Sequence, residues 1–170
     1  MIKKIADLKG FKQILLIVLL ILSFALIKSF NPISIFSVNG IFLSIVFILV
    51  YGIFHWLLFE VVAVFFYSAL KPKIEKLISM NQFVNILRAF IILSNIIIYL
   101  ITNLLILINF YTVFLILLFN LAFSFFILTL FYLSIKNNFL KSIADKSFCI
   151  TFFSFIFLYL LLMTFLWGVL

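Results

Sequence analysis

The sequence predicts an all-α fold, a polytopic membrane helix bundle with five transmembrane helices, N-terminus inside and C-terminus outside. Three observations carry this reading. The chain contains five long apolar stretches, and a bilayer core needs about 20 apolar residues at helical rise. Its 170 residues are 69% hydrophobic and 9% charged, whereas soluble domains hold about 45–50% and about 25%. The cations fall almost entirely in alternate gaps between the stretches.

The single membrane domain, 1–170, divides into spans at about 11–30, 41–70, 89–108, 113–135 and 148–170. The first is short at its apolar core and reaches crossing length only when extended from Phe11 to Phe30. Ahead of it, Ile2, Ile5, Leu8 and Phe11 recur every three residues among charged neighbours, the spacing of a short interfacial helix, with Gly10 loosening the junction. This start is basic and apolar like a signal peptide. Ser23 to Asn31 holds no lipobox cysteine, and removing span one would leave four spans with both ends outside, so it is read as an uncleaved helix.

Asn31-Pro32 and Asn39-Gly40 bracket the first outer loop as turn signals. Span two is expected to end at Lys71-Pro72, with Pro72 opening a surface helix whose apolar face is Ile74, Leu77 and Ile78. Spans three and four, joined near Asn109, form an antiparallel hairpin. In the last inner loop Phe139, Leu140 and Ile143 share a face, and Lys141 and Asp145 stand at i,i+4.

Charge sets the orientation. Lys3, Lys4, Lys9 and Lys12 precede span one; Lys71, Lys73, Lys76 and Arg88 separate spans two and three; Lys136, Lys141 and Lys146 separate spans four and five. Eleven of twelve cations thus share one side, Lys28 being the exception, and cytoplasmic loops are enriched in Lys and Arg. These loops are expected to touch anionic lipid headgroups at about 1 kcal/mol per residue. No soluble module exists to carry a nucleic-acid site, so the +8 net charge does not point to nucleic acid. The expected setting is a multi-pass position in a membrane, a bacterial cell membrane ahead of an organelle membrane.

Polar residues inside hydrocarbon are costly and mark the candidate sites. His55 and Glu60 stand in span two, with Glu60 roughly 15 Å in from Leu70. Burial favours a protonated Glu60 bonded to a neighbouring helix. Five residues apart, the two lie about 140° from each other around the helix. Ser44, Tyr51 and His55 line one stripe, while Trp56, Glu60, Ala63 and Tyr67 line another. Span three carries the stripe Arg88, Asn95, Tyr99 and Thr102, bordered by Asn103. Asn120 and Ser124 edge span four, and Ser147, Thr151 and Ser154 edge span five. Interhelical hydrogen bonding is the favoured role of these edges, and a polar path is the other.

The single cysteine, Cys149, excludes an internal disulfide and any Cys-x-x-Cys motif. One His excludes HExxH zinc chemistry, and neither a G-x-S-x-G nor a Walker loop occurs. No metal or cofactor is expected, and no enzymatic activity. None of the four glycines forms a GxxxG pair.

Five spans, a basic amphipathic link between spans two and three, a tight hairpin of spans three and four, and the segment Lys136-Asn-Asn-Phe-Leu-Lys-Ser-Ile-Ala-Asp-Lys before the last span together resemble the Yip1 family. The resemblance covers about residues 40–170 and rests on layout. The chain lacks that family's Gly-rich turn near Lys71 to Met80 and its Pro early in span three. The resemblance implies a non-enzymatic scaffold that organises other membrane proteins or self-associates. The competing expectation is a small subunit of a transporter or respiratory complex, with Glu60 or His55 in a proton or ion path.

Overall fold

Apolar runs interrupted by few helix breakers produce helices, and the computed structural model is predominantly helical over its described residues, 1–29, 41–107, 113–139, 149–154 and 156–158. The elements are α1 (Ile2–Ala6), α2 (Phe11–Ser29), α3 (Ile41–Ile74), α4 (Met80–Leu107) and α5 (Val113–Phe139). The helical residues 149–154 and 156–158 follow. Among the described residues there is no strand. Three segments are long and apolar enough to cross a membrane: Ile45–Pro72, Met80–Leu105 and Leu121–Phe139. Phe11–Leu26 and Cys149–Leu158 are shorter apolar helices. The chain is therefore compatible with an integral membrane protein.

Helix α4 is the hub. It packs against α1, α2, α3 and α5, and half of its apolar window is buried, against 22% for α3 and 28% for α5. Its neighbours meet around four phenylalanines, one from each of four segments: Phe66 on α3, Phe83 on α4, Phe131 on α5 and Phe152. Their ring centroids close a cycle, Phe66–Phe83 at 5.3 Å, Phe83–Phe131 at 5.4 Å, Phe131–Phe152 at 5.5 Å and Phe152–Phe66 at 5.0 Å. Three of these contacts are edge-to-face, the geometry in which ring quadrupoles attract. In lipid, where apolar surface alone does not drive helices together, such shape and quadrupole contacts hold a bundle.

Two boundaries differ from the sequence expectation. No surface helix follows Pro72: α3 runs through it to Ile74, and residues 75–77 form a tight turn. Pro72 sits in the last helical turn, and α3 ends two residues after it. Ile74 and Ile78 are buried in the core rather than laid on a leaflet. The Tyr67 hydroxyl donates to the Ile78 carbonyl at 3.0 Å and pins the turn.

Span three also starts earlier, at Met80 instead of residue 89. Ser79 and Gln82 form a capping box: the Ser79 N–H donates to the Gln82 amide oxygen at 2.9 Å, and the Gln82 N–H reaches the Ser79 hydroxyl at 3.4 Å. Arg88 therefore lies inside a helix, two turns from its start, and not in a loop with the lysines.

A short helix precedes α2 as α1, over Ile2–Ala6, and Gly10 breaks the chain between them with φ of 55°, a left-handed conformation that glycine adopts without strain. Gly52 has another use. A Cβ there would lie 2.7 Å from the Ile21 carbonyl oxygen and 3.2 Å from the Ala25 Cβ, so α2 and α3 touch backbone to backbone without a GxxxG pair.

Helices α4 and α5 pack side by side, as a short link requires. That link at Asn109, the turn signals Asn31-Pro32 and Asn39-Gly40, the Leu140–Ile143 face, the Lys141–Asp145 pair and the end of span five lie outside the described residues.

Candidate functional site: a buried ionic network

Glu60 stands near the middle of α3, two turns below the buried Tyr51–His55 turn. Its carboxylate receives three donors. Arg88 Nε donates to Oε1 at 2.7 Å, Arg88 Nη2 donates to Oε2 at 2.8 Å, and Trp56 Nε1 donates to Oε1 at 2.9 Å. Trp56 is one helical turn before Glu60, so the two share a face of α3 by i,i+4 spacing. Arg88 comes from α4. Its planar guanidinium matches a carboxylate in two parallel bonds, the strongest form of this interaction.

The group that meets Glu60 from the neighbouring helix is a guanidinium, set against both carboxylate oxygens. The Arg88 side chain is 8% exposed and that of Glu60 22%. Arg88 is thus the more deeply enclosed partner.

The network continues away from Glu60. Arg88 Nη1 donates to Asn85 Oδ1 at 2.9 Å, one turn back along α4. Because a guanidinium can only donate, the Asn85 oxygen must face it, and the amide nitrogen must face outward. That nitrogen donates to the carbonyls of Ala6 at 3.3 Å and Leu8 at 3.0 Å. Gln82, a further turn back, donates to Asp7 Oδ1 at 2.7 Å. One side of α4 therefore binds the N-terminal segment with its amides and the α3 carboxylate with its guanidinium.

The other polar residues named from sequence do not join this network. His55 is fully buried, its Nδ1 donates to the Tyr51 carbonyl at 2.9 Å, and its ring lies among Tyr51, Phe24 and Phe54. Asn95, buried on α4, donates to the Ser23 hydroxyl on α2 at 3.0 Å, and Ser23 donates to the Leu20 carbonyl at 2.8 Å. Tyr99 and Thr102 are half-buried, and the Tyr99 carbonyl accepts from Asn103 at 2.8 Å. Two residues of the α4 stripe serve different neighbours: Arg88 meets α3 and Asn95 meets α2. Ser124 and Thr151 are half-buried and Ser154 is exposed. The side chain of Asn120 and all of Ser147 lie outside the described residues.

Lys3, Lys4, Lys9, Lys12, Lys71 and Lys76 are exposed and Lys136 is half-buried. Lys71 pairs with Glu75 at 3.7 Å, an exposed contact that adds little to stability. The Lys73 side chain, Lys141 and Lys146 lie outside the described residues. Sequence reasoning missed Asn85, Gln82 and Ser23. The first two had a signal: Ser79-x-x-Gln82 is a capping-box spacing, and it would have drawn the helix back over Asn85 and Arg88.

The chain matches no protein-family model, no curated protein and no solved structure.

Proposed function

We propose that this chain is a five-span, non-enzymatic integral membrane protein that organises partner proteins in the bilayer, as its resemblance to the Yip1 family implies. Its N-terminus is inside and its C-terminus outside, and a bacterial cell membrane is its setting. One observation carries the reading. The charges in the middle of the bundle are matched inside the chain, Glu60 by Arg88 and Trp56, and Arg88 by Asn85. A carboxylate clamped by a fixed guanidinium is a structural tie between α3 and α4. A proton-carrying carboxylate has to exchange its partner during each cycle, and a clamp of three donors opposes that exchange.

Affinity isolation in mild detergent, with quantification of co-purifying subunits, is the direct test. The expected result is recovery with membrane proteins that are not ion-translocating. A stoichiometric transporter or respiratory complex overturns the proposal. Replacing Glu60 by Gln alone does not separate the readings, because it strands the Arg88 charge. The paired change Glu60→Gln with Arg88→Gln removes both charges and keeps amides in register. An organising protein retains its partners with that pair, whereas a subunit that moves protons through Glu60 loses transport.

A further inference from the structure

We propose that the recess between α1, the start of α4 and the end of α5 binds the headgroup of one anionic phospholipid of the phosphoglycerol class. The inference rests on the membrane reading above. The recess measures about 340 Å³, and its polar lining is Lys3, Asp7, Gln82 and Asn138, with Leu77 and Phe139 supplying the apolar part. A neighbouring hollow shares Asp7 and is lined by Lys4, Lys9 and Lys12. Lys3 lines the one hollow, Lys4, Lys9 and Lys12 line the other, and Asp7 is common to both, its carboxylate already accepting the Gln82 amide.

The chemistry selects the headgroup. A phosphodiester carries one negative charge, which the Lys3 ammonium complements inside the recess while the outer lysines add to the field. The other lining groups include two acceptor oxygens. Asn138 gives one amide hydrogen to the Ser134 carbonyl at 2.8 Å, and its amide oxygen can accept from a ligand. Asp7 keeps a second carboxylate oxygen beside it. Two acceptors call for a headgroup that donates hydroxyls, as phosphoglycerol does. Choline has no hydrogen to give, and its cation would face the lysines. Leu77, exposed at the rim, and half-buried Phe139 suit the first methylenes of the acyl chains. The recess opens at the end of the bundle that also carries α1 and the turn between α3 and α4, the end that meets the basic leaflet in the proposed orientation.

The test uses the full chain purified in mild non-ionic detergent and native mass spectrometry. Dioleoyl phosphatidylglycerol and dioleoyl phosphatidylcholine are added in equal amounts, and sodium phosphate is added separately. The expected result is one retained phosphatidylglycerol in preference to phosphatidylcholine. Lys3→Gln lowers that retention about fivefold, Asn138→Leu lowers it as well, and Lys71→Gln, a lost charge outside the recess, leaves it unchanged. Lys3→Arg keeps the charge and retains the lipid, which guards against a folding defect in Lys3→Gln.

Equal retention of the two lipids overturns the proposal, as does an equal loss in Lys71→Gln and Lys3→Gln. Displacement of the lipid by sodium phosphate also overturns it, since the site would then take a soluble anion. Alkaline extraction of membranes separates this failure from that of the membrane reading. Protein that stays in the pellet without lipid selectivity removes the headgroup site alone, whereas protein released to the supernatant removes both.

Discussion

Arg88 and Glu60 face each other across the α3–α4 contact with Nε to Oε1 at 2.7 Å and Nη2 to Oε2 at 2.8 Å. The bond joins residues 28 apart in sequence and sets the rotation of both helices, because the two side chains meet in only one register. Leaving a single enclosed charge uncompensated typically costs about 3–5 kcal/mol. Arg88→Leu and Glu60→Leu are each expected to destabilise the bundle by that order. The double variant should recover most of the loss, since a neutral apolar pair needs no partner. Thermal unfolding in detergent, read as a double-mutant cycle, measures the coupling. Additive losses would show that the pair is not a tie.

Much of the fold was legible because lipid imposes a simple rule: long apolar runs become helices. The α1 helix, the break at Gly10, the length of α3 and the α4 stripe all follow from local pattern. The failures were of two kinds. Pro72 marks a stop by residue type, although α3 runs two residues past it. Arg88 was grouped with the lysines because its charge was counted without the Ser79–Gln82 cap that carries the helix back over it. The choice of Arg88 as the partner of Glu60 was not readable at all. Periodicity places each residue on a face of its own helix and says nothing of how two helices are turned toward each other.

The phenylalanine cycle predicts a graded loss. Phe83 contacts Phe66, Phe131 and Tyr67, so Phe83→Leu removes three aromatic pairs from a site with no exposed surface. A loss of about 1–3 kcal/mol is expected. Phe126→Leu, at a position 56% exposed on α5, should fall within about 0.5 kcal/mol of the parent. Equal shifts in melting temperature for the two variants would remove the cycle from the account of stability.

Gly52→Ala tests the close approach of α2 and α3. The added methyl meets the Ile21 carbonyl oxygen at 2.7 Å, which is backbone and cannot rotate away. Overpacking of this kind costs about 1–3 kcal/mol. Adding Ala25→Gly removes the contact at 3.2 Å but leaves the carbonyl in place, so the double variant should stay destabilised. Full recovery of the melting temperature would place the clash in the side chain instead.

Asn85 separates two functions that meet in one amide. Its oxygen accepts from Arg88, and its nitrogen holds the carbonyls of Ala6 and Leu8. Asn85→Asp keeps an acceptor for Arg88 and loses the donor to the N-terminal segment. Asn85→Leu loses both. Each variant should therefore loosen α1 and speed tryptic cleavage after Lys9 and Lys12, which are exposed. Only Asn85→Leu should also lower thermal stability, by about 1–3 kcal/mol, because it leaves an enclosed Arg88 donor unmet. If cleavage rates do not change in either variant, the amide is not what tethers the N-terminal segment. If Asn85→Asp melts as early as Asn85→Leu, the Arg88 contact does not depend on an oxygen at this position.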